Sequence, residues 1–481
     1  MKFRLVAALA VVGVATATSA RAEPMQERNY WPFWVGQSAD AAGVERWSSL
    51  GPLLHGSRNA EGESLTGLRP LFHSFRSPNG STAQSVVYPL WYREHDAPDD
   101  NTRWTLLNLI NSKTSAAGED SFSIWPIYFS RDTGEEASSY RAVFPLYGDI
   151  SQRFGQSRVQ WAAFPLYVRY ENKGAITTST PWPFFKTISG GDHRGFALWP
   201  LLGEREEIGV SSRQYLLWPL LYRQDDKLDT AEPTSRAGLL PFYATETSAG
   251  YISETFLWPF FGYSHRTSPV TYQQTNFFWP LGVQGRGENR YVNRWAPLYS
   301  YSKSPSREQT WLLWPVWRDR QWHSQDLDHR RQQLLYFVYH SETQTSRQSP
   351  DLDPAFKRHL WPLVSHWDNG AGRVQTQLLS PIEVFFPHNE RTRQLWSPLF
   401  ALYRYDQTAP GELRHSWLWD AVTYARSDMH QSREFHLGPL FNYRVDADGS
   451  QWGILAGLLR VSRPAGKGLR ASSVLTDGLS P

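Results

Sequence analysis

Four arginines in one stretch are the side chains best suited to bind something. Arg318, Arg320, Arg330 and Arg331 lie between Pro315 and Pro362, interleaved with Asp326, Asp328, Asp351 and Asp353. A guanidinium is a planar fork of donors that meets phosphate or carboxylate oxygens two at a time. These four are therefore the candidate binding residues, carried on an expected enlarged loop over 316–361. In the same stretch His323 and His329 flank Asp326 and Asp328. Those are donor types that hold a metal, and equally the composition of a polar loop. Upstream, Glu94, Asp96, Asp99, Asp100 and Asn101 offer oxygens to Ca²⁺ without the spacing of a calcium loop.

Other chemistry is not signalled. The chain has no HExxH, GxSxG, P-loop or GxGxxG motif. It has no Cys, which removes thiol nucleophiles, disulfides and a lipoprotein anchor. The expectation is a protein that is not an enzyme and carries no cofactor. An enzyme acting on polysaccharide is the outlying alternative, because the spacing of paired carboxylates in space is not written in the sequence.

The elements that must carry these residues are repeats. A phrase of the form apolar, aromatic, Pro, apolar, apolar recurs along the chain. Leu217-Trp218-Pro219-Leu220-Leu221, Leu198-Trp199-Pro200-Leu201-Leu202 and Leu257-Trp258-Pro259-Phe260-Phe261 are clear copies. The period is about 19 residues, close to the range that marks repeat architectures. Turn signals such as Pro78-Asn79-Gly80 and Asp368-Asn369-Gly370 separate the copies. Short apolar runs bounded by such turns predict strands, and a Pro in every unit argues against helices. The fold class expected is all-β: a single antiparallel repeat domain over 23–462 with about 22–24 units. It would be closed as a large barrel or stacked as a scaffold. Residues 463–481 would be a tail or a last weak strand.

Two features qualify a strand centred on the phrase. Around Trp218 both faces are apolar: Leu216, Trp218, Leu220 and Tyr222 on one, Tyr215, Leu217, Pro219 and Leu221 on the other. Pro also has no N–H for a ladder, and each orphaned carbonyl costs about 1–3 kcal/mol. The chain is thus expected to kink at each Pro, making a unit two short β arms that meet at a packed Trp-Pro corner.

Composition bounds the setting. Lys2 and Arg4, the apolar run 5–14 and Ala20-Arg21-Ala22 form a signal peptide over 1–22. Export is expected, to the outer membrane or else to the periplasm or cell surface. The formal charge of +3 does not point to nucleic acid as a partner. Eight of the 49 basic residues are Lys, so 41 are Arg. Aromatic residues make up 15 %, with 23 Trp. One ring per repeat would build a ladder that serves as core or lines a surface where sugar or lipid stacks.

The repeated phrases, including Phe144-Pro145-Leu146-Tyr147 and Phe164-Pro165-Leu166-Tyr167, resemble those of uncharacterised secreted bacterial envelope proteins. The resemblance spans the mature chain and implies an envelope protein, with no catalytic residue or ligand attached to it.

Two functional readings follow. An outer-membrane β-barrel, channel or structural, would show a lipid-facing belt about 25 Å tall and pair its first strand with its last. A periplasmic or surface scaffold binding glycan, lipid or another envelope protein would bury its Trp-Pro corners under a polar exterior.

Overall fold

A computed structural model describes residues 26–39, 43–136, 138–386, 393, 395–466 and 468–473. The expected signal peptide lies outside them. The described residues form 45 strands, from β1 (Glu27–Tyr30) to β45 (Arg470–Ser473), joined in one antiparallel sheet. Each strand pairs with its neighbours in sequence, as in β1 with β2 (Trp34–Gln37) and β21 (Ser211–Leu216) with β22 (Leu221–Asp226).

The repeat is present, and each unit holds two strands, the two short arms expected on either side of its corner. The phrase itself is a turn. β21 ends at Leu216 and β22 begins at Leu221, so Leu217-Trp218-Pro219-Leu220 is the corner between them. Trp218-Pro219 is cis, and the Leu220 N–H donates to the Leu217 carbonyl at 2.7 Å. That is a turn with cis-Pro at its third position. Both difficulties of the sequence reading disappear here. Pro sits where no ladder partner is required, and apolar residues on "both faces" are simply the residues of a bend. The strands alternate between short apolar corners and polar loops, so every second one of the 44 connections lies on the corner side: 21 short corners and the longer segment 379–402. All corners therefore line one rim of the sheet, and the polar loops line the other.

Adjacent corners are stitched together. The Trp218 N–H donates to the Pro200 carbonyl and Trp258 to Pro241, each within 2.7 Å; Trp314 to Pro297 repeats the bond. Rings follow the same path: Phe144 to Phe164 at 5.0 Å, Phe164 to Trp182 at 5.4 Å, Phe260 to Phe278 at 4.8 Å.

Strands run from four to eight residues, which makes the sheet about 20 Å tall. Their side chains alternate between faces. On the inner face the row nearest the corners mixes small, polar and aromatic residues, and much of it is buried, as at His55, Ser85, Thr105 and Ala142. Around β14 (Tyr147–Arg153) and β15 (Gln156–Ala162), Phe129, Ala142, Ile150, Trp161 and Val168 form its one hydrophobic cluster among the described residues. Gly148 lies opposite Trp161, and a Cβ on it would sit 2.2 Å from the indole. The ring thus lies flat over the glycine. Gly148→Val should displace Trp161 and cost about 1–3 kcal/mol. A denaturant melt with an unchanged midpoint would refute that packing role.

The two ends of the sheet meet, though not through a ladder. β1 pairs only with β2, and β45 only with β44 (Leu459–Pro464). The barrel closure expected from the sequence, first strand to last, is not what holds the ends. Instead β1 lies against the inner face of β39 (Glu412–Trp417), β40 (Val422–Ser427) and β41 (Ser432–Leu437) through buried polar groups. Arg414 donates from Nε to Glu27 Oε2 at 2.9 Å and from Nη2 to Asp420 Oδ1 at 2.8 Å. Thr423 donates to Glu27 Oε1, Asn29 Nδ2 to the Asp420 carbonyl at 2.8 Å, and the Glu27 N–H to Glu434 Oε2 at 3.0 Å. Burial pushes the Asp420 carboxyl up. The adjacent Arg414 charge, with hydrogen bonds from Ser416 and Arg414, outweighs this and holds it below the usual carboxylate range. Contact between the same face at both ends means the sheet coils with that face inside.

The expected enlarged loop over 316–361 is also replaced. That stretch is β32 (Trp317–His323), β33 (Leu327–Leu334), β34 (Tyr339–Ser346) and β35 (Ala355–Leu360). β33 and β34 are the longest strands described, at eight residues each. The true interruption comes after β37 (Val374–Leu378). There residues 379–402 carry a 3₁₀ turn Glu383–Phe385 and a short helix Ser397–Phe400 before β38 (Tyr403–Ala409).

The inner row also holds buried histidines. His55 on β4 (Leu54–Arg58) is lowered to about 3 by burial, Arg69 and His73. His359 on β35 is lowered to about 4 by burial, His340 and Lys357. Both are neutral in the fold. The unfolded chain binds more protons than the fold as pH falls below 6.5, so their contribution is complete above 6.5 and is lost toward the folded values. Each should cost about 2 kcal/mol by pH 5. Thermal midpoints should drop between pH 7 and 5, and His55→Gln with His359→Gln should flatten the profile. A pH-independent midpoint would exclude this.

Candidate functional site

The largest chemical feature is the rim of corners. Its residues are not packed away: Leu146 is 67 % exposed, Leu166 61 %, Leu298 64 % and Trp314 57 %. The scaffold expectation of buried corners fails, because a hairpin bend at the edge of a sheet has no second layer to cover it. The first strand position beyond each corner extends the apolar surface on the outer face. Leu198, Leu202, Leu216, Leu221, Leu239 and Tyr243 are consecutive cross-strand neighbours in one such row. Deeper on the same face the next row is mixed, with Glu204, Gln214, Arg223, Ala237 and Thr245. The apolar collar is thus about 10 Å tall, corner plus one or two strand residues.

The four arginines of the sequence reading are divided. Arg318 and Arg320 alternate on β32 and face inward, while Arg331 stands opposite Arg320 on the same face. Arg330 points outward, where Asp319 takes it at 2.7 Å. The inward group gains a member that spacing alone did not reveal. Arg307, on β31 (Arg307–Leu312), lies opposite Trp322. Its Nη2 donates to Gln309 Oε1 at 2.8 Å, and Arg318 Nη2 donates to the same oxygen at 3.1 Å. The faces of Trp311 and Trp322 support the cations: Arg318 at 5.0 Å over Trp311, Arg320 at 4.7 Å and Arg331 at 5.2 Å over Trp322. Arg331 pairs with the buried Glu342 at 2.7 Å. Burial, with Arg307 next, lowers both the Arg318 and Arg320 guanidinium groups.

The metal candidates are not assembled. His323 and Asp328 are an outward cross-strand pair, while His329 turns inward and stacks on Trp322 at 4.9 Å. Asp96 pairs with Asn101 across the β8–β9 hairpin, β8 being Trp91–Asp96 and β9 Asn101–Leu106. Among the described residues no group of three or more His, Asp or Glu side chains is placed to hold a metal ion. A pocket of about 640 Å³ lies chiefly over the outward side of β31–β34, lined by Gln321, Asp328, Arg330, Thr343 and Arg358 among others. No helix among the described residues is long and apolar enough to cross a membrane, which does not bear on strands. No protein-family model matches the chain, and no curated protein matches it.

Proposed function

We propose that the chain is a non-enzymatic, exported cell-envelope scaffold that seats its apolar rim in one leaflet of a membrane. The observation that carries this is the alignment of 21 exposed corners on one rim. Depth favours it. A collar about 10 Å tall matches the 5–10 Å to which interfacial elements enter a bilayer. Trp and Tyr, frequent at and beside the corners, suit that boundary. Satisfaction of the backbone supports it too. Amides entering lipid need internal partners, and the corners supply these by bonding to one another. A spanning barrel is less well supported. Its strands need about 9–11 residues, against four to eight here.

The test is flotation of the purified mature chain with phosphatidylcholine vesicles on a density gradient. The chain should float with the lipid, and its tryptophan emission should shift to the blue. Protein left at the bottom with unshifted emission would overturn the reading.

A further inference from the structure

We infer that the inward arginine cluster of Arg307, Arg318 and Arg320 is a binding site for a phosphate group. It does not depend on the rim reading. Several arginines of the sheet are matched to a carboxylate: Arg158 to Asp149, Arg194 to Glu206, Arg213 to Asp226, Arg444 to Glu434. Here three stand together without one. None of the three has an ion pair among the described residues. The one carboxylate beside them, Glu342, is engaged by Arg331. Their fixed partners are two neutral amides, Gln309 and Gln333, and two indole faces.

The groups are held, not merely close. Arg307 and Arg318 share one amide oxygen. Arg320 lies on Trp322 with its Nε buried and without a hydrogen bond, as is the Nε of Arg318. Stacking fixes the planes of the Arg318 and Arg320 guanidinium groups while leaving edge donors unused. Three like charges held together need an anion to offset them. A single carboxylate fills one fork; a phosphate presents oxygens to several forks at once. The ligand class is therefore a phosphate ester or pyrophosphate, whether free or borne by a lipid headgroup.

Calorimetric titration of the mature chain with pyrophosphate, against chloride at matched ionic strength, tests this. Saturable binding is expected, weakened at least tenfold in R318Q/R320Q and retained in R330Q, which changes the opposite face. A second arm measures the extra vesicle binding that phosphatidate adds to phosphatidylcholine. Loss of the pyrophosphate signal in R318Q/R320Q assigns the site to soluble phosphates. Loss of only the phosphatidate increment assigns it to a headgroup. If neither signal exists, or both survive in R318Q/R320Q with circular dichroism unchanged, the site is not one for phosphate.

Discussion

Replacing Leu146, Leu166 and Leu298 together with Asp is expected to abolish vesicle binding and leave the sheet folded. All three are more than 60 % exposed at corners, so the fold loses little packing. In the membrane-bound state each would be withdrawn from water, which is worth about 1.5–3 kcal/mol per leucine. Three losses come to about 6 kcal/mol. At 1.4 kcal/mol per decade the partition coefficient should fall by at least about a thousandfold. Leu228 is the control. It is 48 % exposed, but lies in the loop after β22, on the polar rim. Leu228→Asp should bind vesicles as the parent does. Flotation of the triple variant at parental levels would sink the rim proposal. A chain that sediments as a dimer until the triple variant makes it monomeric, with no vesicle binding in either form, would show a second copy covering the rim instead.

Arg414→Met is expected to release the first strands from the last. Arg414 bridges Glu27 and Asp420, and its guanidinium side chain is only 12 % exposed. Removing one partner of a buried pair costs about 3–5 kcal/mol, because the other charge stays buried. The effect should be local. In a sheet whose strands touch chiefly their sequence neighbours, stability is nearly a sum of neighbour terms. Amide exchange should accelerate over 27–49, covering β1, β2 and β3 (Glu45–Ser49), while 211–266 keeps its protection. The radius of gyration should rise as the coil opens. Glu27→Gln combined with Arg414→Met should recover part of the loss, since it removes the orphaned carboxylate. Unchanged exchange over 27–49 in the single variant would mean that this cluster does not hold the ends.

Much of the fold was legible in the sequence. Strand type, antiparallel order, the period and the kink at Pro all follow from short-range rules: β-branched and aromatic runs, turn dipeptides, and a residue without an N–H. Alternation is equally local, so Arg318 and Arg320 had to share a face and Arg330 and Arg331 had to part. What misled was the packing of the corners, because the strongest apolar signal belonged to the bends. Hydropathy identifies an apolar residue without telling whether a second layer covers it, and Leu217-Trp218-Pro219-Leu220 reads as a core strand until its position on a rim is known.

The sequence by itself determined the repeating hairpin, since most corners are set by a Pro and its immediate neighbours and the rest, such as Leu107-Asn108-Leu109, by a short turn of the same length. Only the tertiary structure decided which residues meet at a distance. Arg307 joins Arg318 through the register of β31 on β32. Glu27 meets Arg414 across 387 residues because curvature, accumulated over some forty strands, returns one end to the other. A small bend per strand leaves no mark in any one repeat. Its sum determines that the sheet is a coil with an inner charged face and a single apolar rim.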